Sequence, residues 1–143
     1  MGTSPVEFDV PAEVAFAYLV DPRNRPQWQS SLRRIEDLST QTPQVGQSWT
    51  DVTTPGLRPA MVTTVLAPST RWTEVGTWGG ISAELTLEFA PSEGGCTVLA
   101  IAQVQGRGLL RPLGPVITRA AGLAVPGDLK RAARILLGRA SDK

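Results

Sequence analysis

The chain has 143 residues, 14 basic and 13 acidic side chains for a net charge of +1, one cysteine and no histidine. That length suits a single domain spanning residues 1–143 that buries roughly two-thirds of its unfolded surface without a staple. The lone Cys96 excludes an intramolecular disulfide, and the missing histidine removes the usual zinc and copper ligand sets together with Ser-His-Asp and Cys-His catalysis, so no metal and no cofactor are expected.

In chain order, Val6, Phe8 and Val10 alternate with Glu7 and Asp9, the period of a half-buried strand that Pro11 ends. The run PAEVAFAYLV predicts a helix with Val14, Phe16, Ala17 and Tyr18 near one apolar face, stopped at Asp21-Pro22. A short second helix is expected over RPQWQSS, with Pro26 in its first turn and Trp28 anchoring it. Strands are then expected over residues 32–38, 47–53, 60–66 and 97–105, with a hairpin between the last two. The separators TPQVG, TTPGLRP, APS and PSEGG carry the Gly, Pro and Ser of short connections.

The hairpin is the run TRWTEVGTWGGISAELTLEF. Gly79-Gly80 has the freedom a two-residue turn needs, and a type I′ turn with both at positive φ is expected. That turn sets Trp78 opposite Ile81, Gly76 opposite Ala83, Glu74 opposite Leu85 and Trp72 opposite Leu87, all on one side of the sheet. The other side is mostly polar and ends in an Arg71–Glu88 cross-strand pair. Glu74 is therefore expected to point inward among apolar side chains, where a carboxylate must be paired, protonated, hydrated or lining a cavity.

From Leu109 onward the apolar spacing becomes helical, with Leu129, Ala132, Ala133, Leu136 and Ala140 in one stripe and Lys130, Arg131, Arg134 and Arg139 mostly off it. Pro126-Gly127 predicts either a kinked helix or two successive ones, with Asp128 as cap of the second. From Gly106 the chain carries eight basic and two acidic residues, against six basic and eleven acidic before it. This basic region, Arg107, Arg111, Arg119 and Lys143 included, is either a solvated helix face or a surface for an acidic partner, a membrane or a phosphate-bearing ligand. It lacks the interleaved aromatics of a nucleic-acid site. The start has no leader-like pattern and no run reaches the ~18 apolar residues of a spanning helix, so a cytoplasmic protein with no integral membrane segment is expected.

Strand, two short helices, about six antiparallel strands and a long helix make an α+β domain with helices on one face of a curved sheet. The pieces VPAEVAFAYLVDPRNRPQW, VGQSW, LAPSTRW, PSEGGCTV and DLKRAARIL, in that order, resemble the SRPBCC superfamily. This superfamily is also called START-like or Bet v 1-like; within it the match is to small polyketide cyclase/dehydrase-type proteins. The resemblance covers about residues 6–137. It implies a helix-grip fold, in which about seven antiparallel strands wrap a long C-terminal helix and leave a cavity between them. It also implies an apolar or amphipathic ligand such as a lipid or polyketide, bound or cyclised and dehydrated there. The irregular, basic segment 106–127 departs from the family's smooth final helix.

The ligand-facing candidates are Trp49, Met61, Trp72, Glu74, Trp78, Ile81, Leu85 and Leu87, with Trp72 and Trp78 readable equally as core. The principal reading is a binding protein, with peripheral membrane contact through the basic C-terminal region and a monomer or weak homodimer as its assembly. An enzyme reading makes Glu74 a general base with a raised pKa, helped by Tyr18 or an arginine. A third makes the domain a co-chaperone or toxin-like interaction module. Cys96, beside Gly94-Gly95, reads as an inert thiol.

Overall fold

A computed structural model describes residues 5–54 and 56–141, the side chains of residues 116–123 and 140–141 excepted. Strand β1 (Val6–Phe8) leads into helix α1 (Ala12–Leu19), and a 3-10 turn over Pro22–Asn24 leads into the single helical turn α2 (Arg25–Trp28). Six strands follow: β2 (Leu32–Glu36), β3 (Ser48–Thr53), β4 (Ala60–Ala67), β5 (Arg71–Trp78), β6 (Ile81–Ser92) and β7 (Gly95–Gly106). A second 3-10 turn over Gly108–Leu110 precedes helix α3 (Leu113–Ser141). The strands form one antiparallel, curved sheet in the order β1-β7-β6-β5-β4-β3-β2. It is the helix-grip architecture, with α3 packed on β7 and β1 and touching α2, and α1 packed on β6 and β7.

The β5–β6 hairpin has the register its sequence dictates, from Trp78 opposite Ile81 to Arg71 opposite Glu88. Arg71 Nη2 reaches Glu88 Oε2 at 2.7 Å across the outer face. The turn itself differs from expectation, because Gly79 takes φ 56° while Gly80 has no positive φ. Positive φ at the first position alone belongs to a type II′ turn, which also matches the twist of the flanking strands. The neighbourhood of Gly94-Gly95 suggests a turn at Cys96, but Cys96 is the second residue of β7 and fully buried.

Helix α1 turns a different face inward from the one the sequence suggested. Ala12, Ala15, Phe16 and Leu19, spaced at i, i+3, i+4 and i+7, are buried together with Tyr18, whereas Val14 is 45% exposed and Ala17 is also exposed. The small alanines let the helix sit close enough for Phe16 to meet Phe89 edge-on, with ring centroids 5.2 Å apart.

Helix α3 runs unbroken through Pro126. An interior proline costs about 3 kcal/mol in an isolated helix, and here burial of Leu129, Ala132 and Leu136 against the sheet offsets it. Lys130, Arg131, Arg134 and Arg139 are exposed, while Ala140 lies outside the described side chains. With no second helix to cap, Asp128 does something else: its Oδ1 accepts the Ser30 backbone N–H at 3.3 Å and ties α3 to the chain after α2.

Candidate ligand-binding site

The concave face of the β5–β6 hairpin divides into a filled end and an open end. At the end away from the turn, Trp72 and Leu87 are 0% exposed and sit in the core with Phe89, Val98 and Leu129. Toward the turn, Ile81, Ala83 and Leu85 are only half-buried, and Trp78 is 47% exposed. Apolar side chains in the middle of a seven-stranded sheet stay half-exposed only where nothing packs over them. The space above them is a cavity of about 480 Å³ walled by β3, β4, β5, β6 and β7, with Val125 of α3 on the other side. A surface hollow of about 590 Å³ around Val65, Arg71 and Glu88 is larger, but an exposed ion pair lines it and the polar cluster described next does not reach it.

One side of the cavity is polar. Arg25, 1% exposed, and Glu74, 3% exposed, form a two-pronged ion pair: Nη1 donates to Oε2 at 2.7 Å and Nη2 to Oε1 at 2.8 Å. The guanidinium also donates to Gln29 Oε1 from Nε at 2.8 Å and from Nη2 at 2.6 Å. It lies between the rings of Trp28 and Trp72, with Cζ 5.2 and 5.5 Å from their centroids. Burial by itself pulls the Arg25 pKa down, but the carboxylates of Glu74, Asp51 and Asp128 together outweigh it and hold the group above its ordinary value. Arg25 is therefore a fixed cation, and the parallel geometry of guanidinium and carboxylate is what makes burial of both charges tolerable.

Asp51 is the third member of the cluster. It lies on β3, is 5% exposed, and its Oδ1 accepts the Trp49 indole N–H at 2.9 Å. Its Oδ2 has no hydrogen-bond partner among the described residues, and the side chain lines the cavity. Burial pushes this carboxyl up to about 6, with Glu74 adding to the rise while Arg25 and the Trp49 bond oppose it.

Of the residues expected at the site, Met61, Glu74, Trp78, Ile81 and Leu85 border the cavity, while Trp49, Trp72 and Leu87 do not. Trp72 and Leu87 belong to the core because α1 and α3 cover their end of the face. Trp49 is 2% exposed and orients Asp51. Met61 reaches the wall because its cross-strand neighbour is Gly76, where an added Cβ would come within 2.6 Å of the Met61 sulfur. Glu74 is clamped at both oxygens, which leaves it a poor general base. Tyr18 is not in the lining, and its hydroxyl donates to Gln27 at 2.8 Å. Burial raises the Cys96 thiol, with Glu7 and Glu13 adding to the effect, in keeping with an inert group.

Sequence reasoning missed Arg25 and Gln29 altogether, and it gave Asp51 no role. A one-turn helix has too few residues for periodicity to show which way Arg25 points. The available hint was the inward carboxylate of Glu74, which demanded a cation that no local spacing supplied. Among the described residues there is no group of three or more His, Cys, Asp or Glu able to hold a metal ion.

The sequence profile described as polyketide cyclase/dehydrase and lipid transport matches residues 2–140. A search of curated proteins finds no match. Among solved structures, protein MLL2253 from Mesorhizobium loti is similar with a TM-score of 0.72 at 12% identity, over 95% of this chain and 96% of that one. The allergen Ara h 8.0201 gives a TM-score of 0.75 at 13% identity, over 96% and 97% of the two chains. The di-domain ARO/CYC StfQ from the steffimycin biosynthetic pathway gives 0.76 at 16% identity, covering 99% of this chain and 51% of that one. At such identities the likeness speaks for the fold.

Proposed function

Since the chain belongs to the polyketide cyclase/dehydrase and lipid transport family, within the SRPBCC superfamily, we propose that it binds an apolar or amphipathic small molecule between its sheet and C-terminal helix. The observation that carries this reading is the open end of the hairpin face. Trp78, Ile81, Ala83 and Leu85 present apolar surface to about 480 Å³ of space beside a buried polar cluster, the usual constitution of a small-molecule site. Native mass spectrometry of the freshly purified protein, followed by organic extraction, tests it. A reproducible apolar adduct that Trp78→Ala weakens is expected; a bare mass, together with no thermal stabilisation by a panel of apolar ligands, would sink the proposal.

A second reading, an enzyme of the cyclase or dehydrase kind, is favoured by one observation. Asp51 faces the same cavity with a free oxygen and titrates at about 6, where a general acid or base works near neutral pH. That reading replaces Glu74 with Asp51 as the proton-transferring group. It requires Asp51→Asn to abolish turnover of a bound polyketide while leaving its binding measurable.

The peripheral contact proposed for the basic region narrows to one loop. Leu109 is 99% exposed between the exposed Arg107 and Arg111, and Leu110 lies against Gly80, beside Trp78. An apolar tip flanked by cations at the cavity's rim suits a surface of anionic lipid, from which an apolar ligand would enter.

A further inference from the structure

The cavity holds one buried cation, yet little of that cation is left for a ligand. Arg25 has five N–H donors; two go to Glu74 and two to Gln29, leaving a single Nη1–H. No other lysine or arginine is among the described lining residues. Asp51 lines the same space, and its Oδ2 makes no hydrogen bond to the described residues; the Gln29 amide and the Ser31 hydroxyl, also in the lining, are neutral. With Asp51 ionised, the buried trio of Arg25, Glu74 and Asp51 carries one net negative charge.

From this arrangement we infer that the cavity selects an uncharged ligand whose polar end is a hydroxyl or N–H donor to Asp51 Oδ2, and rejects ligands that end in a carboxylate. The inference rests on the cavity reading above and adds the polarity of the ligand's head. Complementarity decides between the two kinds of head. A free carboxylate entering here meets the negative charge of Asp51 and a guanidinium already neutralised, with only the neutral Gln29 amide, the Ser31 hydroxyl and one Arg25 N–H to offset them. An alcohol or phenol instead gives its proton to the charged Asp51 Oδ2 while its apolar body lies on Ile81, Leu85 and Trp78. Trp49 holds Asp51 at the angle this requires and so acts as a positioning residue.

The test compares two probes with the same chain, decan-1-ol and decanoate, by isothermal titration at pH 8, where both Asp51 and decanoate are ionised, in the wild type and in Asp51→Asn. Decan-1-ol is expected to bind the wild type more tightly than decanoate. Because desolvation of a carboxylate favours the alcohol in any apolar pocket, the deciding quantity is the change in that ratio. A hydrogen bond to a charged acceptor is worth about tenfold or more in affinity, so Asp51→Asn should narrow the ratio by about tenfold, with decanoate gaining and decan-1-ol losing. An unchanged ratio, or decanoate binding the wild type as tightly as the alcohol, overturns the inference and leaves the cavity reading standing. Binding of neither probe overturns the cavity reading and this inference with it.

Discussion

At the scale of residues, the site is governed by how three buried charged groups share one another. Glu74→Gln leaves Arg25 buried without its counter-ion, and breaking a buried pair on one side costs about 3–5 kcal/mol. Urea unfolding should show a loss of that order, and a loss under about 1 kcal/mol would mean that water already reaches the pair. Asp51 works in the opposite direction. Its pKa is raised from 3.8 to about 6, so between those values the folded chain binds more protons than the unfolded one. Stability from this group is therefore full below pH 3.8, falls as pH rises through about 6, and stays reduced above it. The neutral isostere Asp51→Asn escapes that loss. Its thermal midpoint should exceed the wild type's at pH 8, by up to about 3 kcal/mol in stability, with the gain fading toward pH 4; a gain independent of pH would contradict burial as the cause of the raised pKa.

At the scale of elements, α1, α3 and the loop before α3 show where periodicity suffices and where it does not. The stripe of α3 turned inward as its spacing dictates, although Pro126 did not divide the helix as expected. Proline disfavours a helix locally, but burying a continuous apolar stripe against a sheet outweighs that cost. In α1 nearly every position is apolar or alanine, so spacing alone admits more than one face, and contact with β6 and β7 chose among them. The loop carrying Leu109 makes its own prediction. In co-sedimentation with vesicles containing anionic phosphatidylserine, Leu109→Asp should lower the bound fraction several-fold, and raising the salt should do the same, since each basic residue near such a surface contributes about 1 kcal/mol. Binding that is indifferent to both changes would remove the loop from the contact.

At the scale of the whole molecule, one sheet face serves two purposes because the helices cover only part of it. Trp72 and Trp78 lie on the same strand and the same face, six residues apart in sequence. One is sealed in the core and the other stands at the cavity. Trp72→Ala should thus cost about 3–5 kcal/mol, the range for a buried tryptophan. Trp78→Ala should change unfolding by less than about 1 kcal/mol while reducing retention of an apolar adduct. Equal stability losses for both would mean that the cavity is closed in solution. Among the described residues no helix is long and apolar enough to span a membrane.

The hairpin, its register and the inward direction of Glu74 were legible from twenty residues, because alternation and a two-residue turn are local and leave one solution. The α+β order and the C-terminal stripe were legible for the same reason. The turn's φ values, the inward face of α1 and the division of the concave face into core and cavity were decided only when distant elements met. The partner of Glu74 is the clearest case, since Arg25 lies 49 residues away on a single turn of helix. A lone carboxylate in a strand announces that a buried charge must be satisfied, and what satisfies it depends on which part of the chain the fold brings over it.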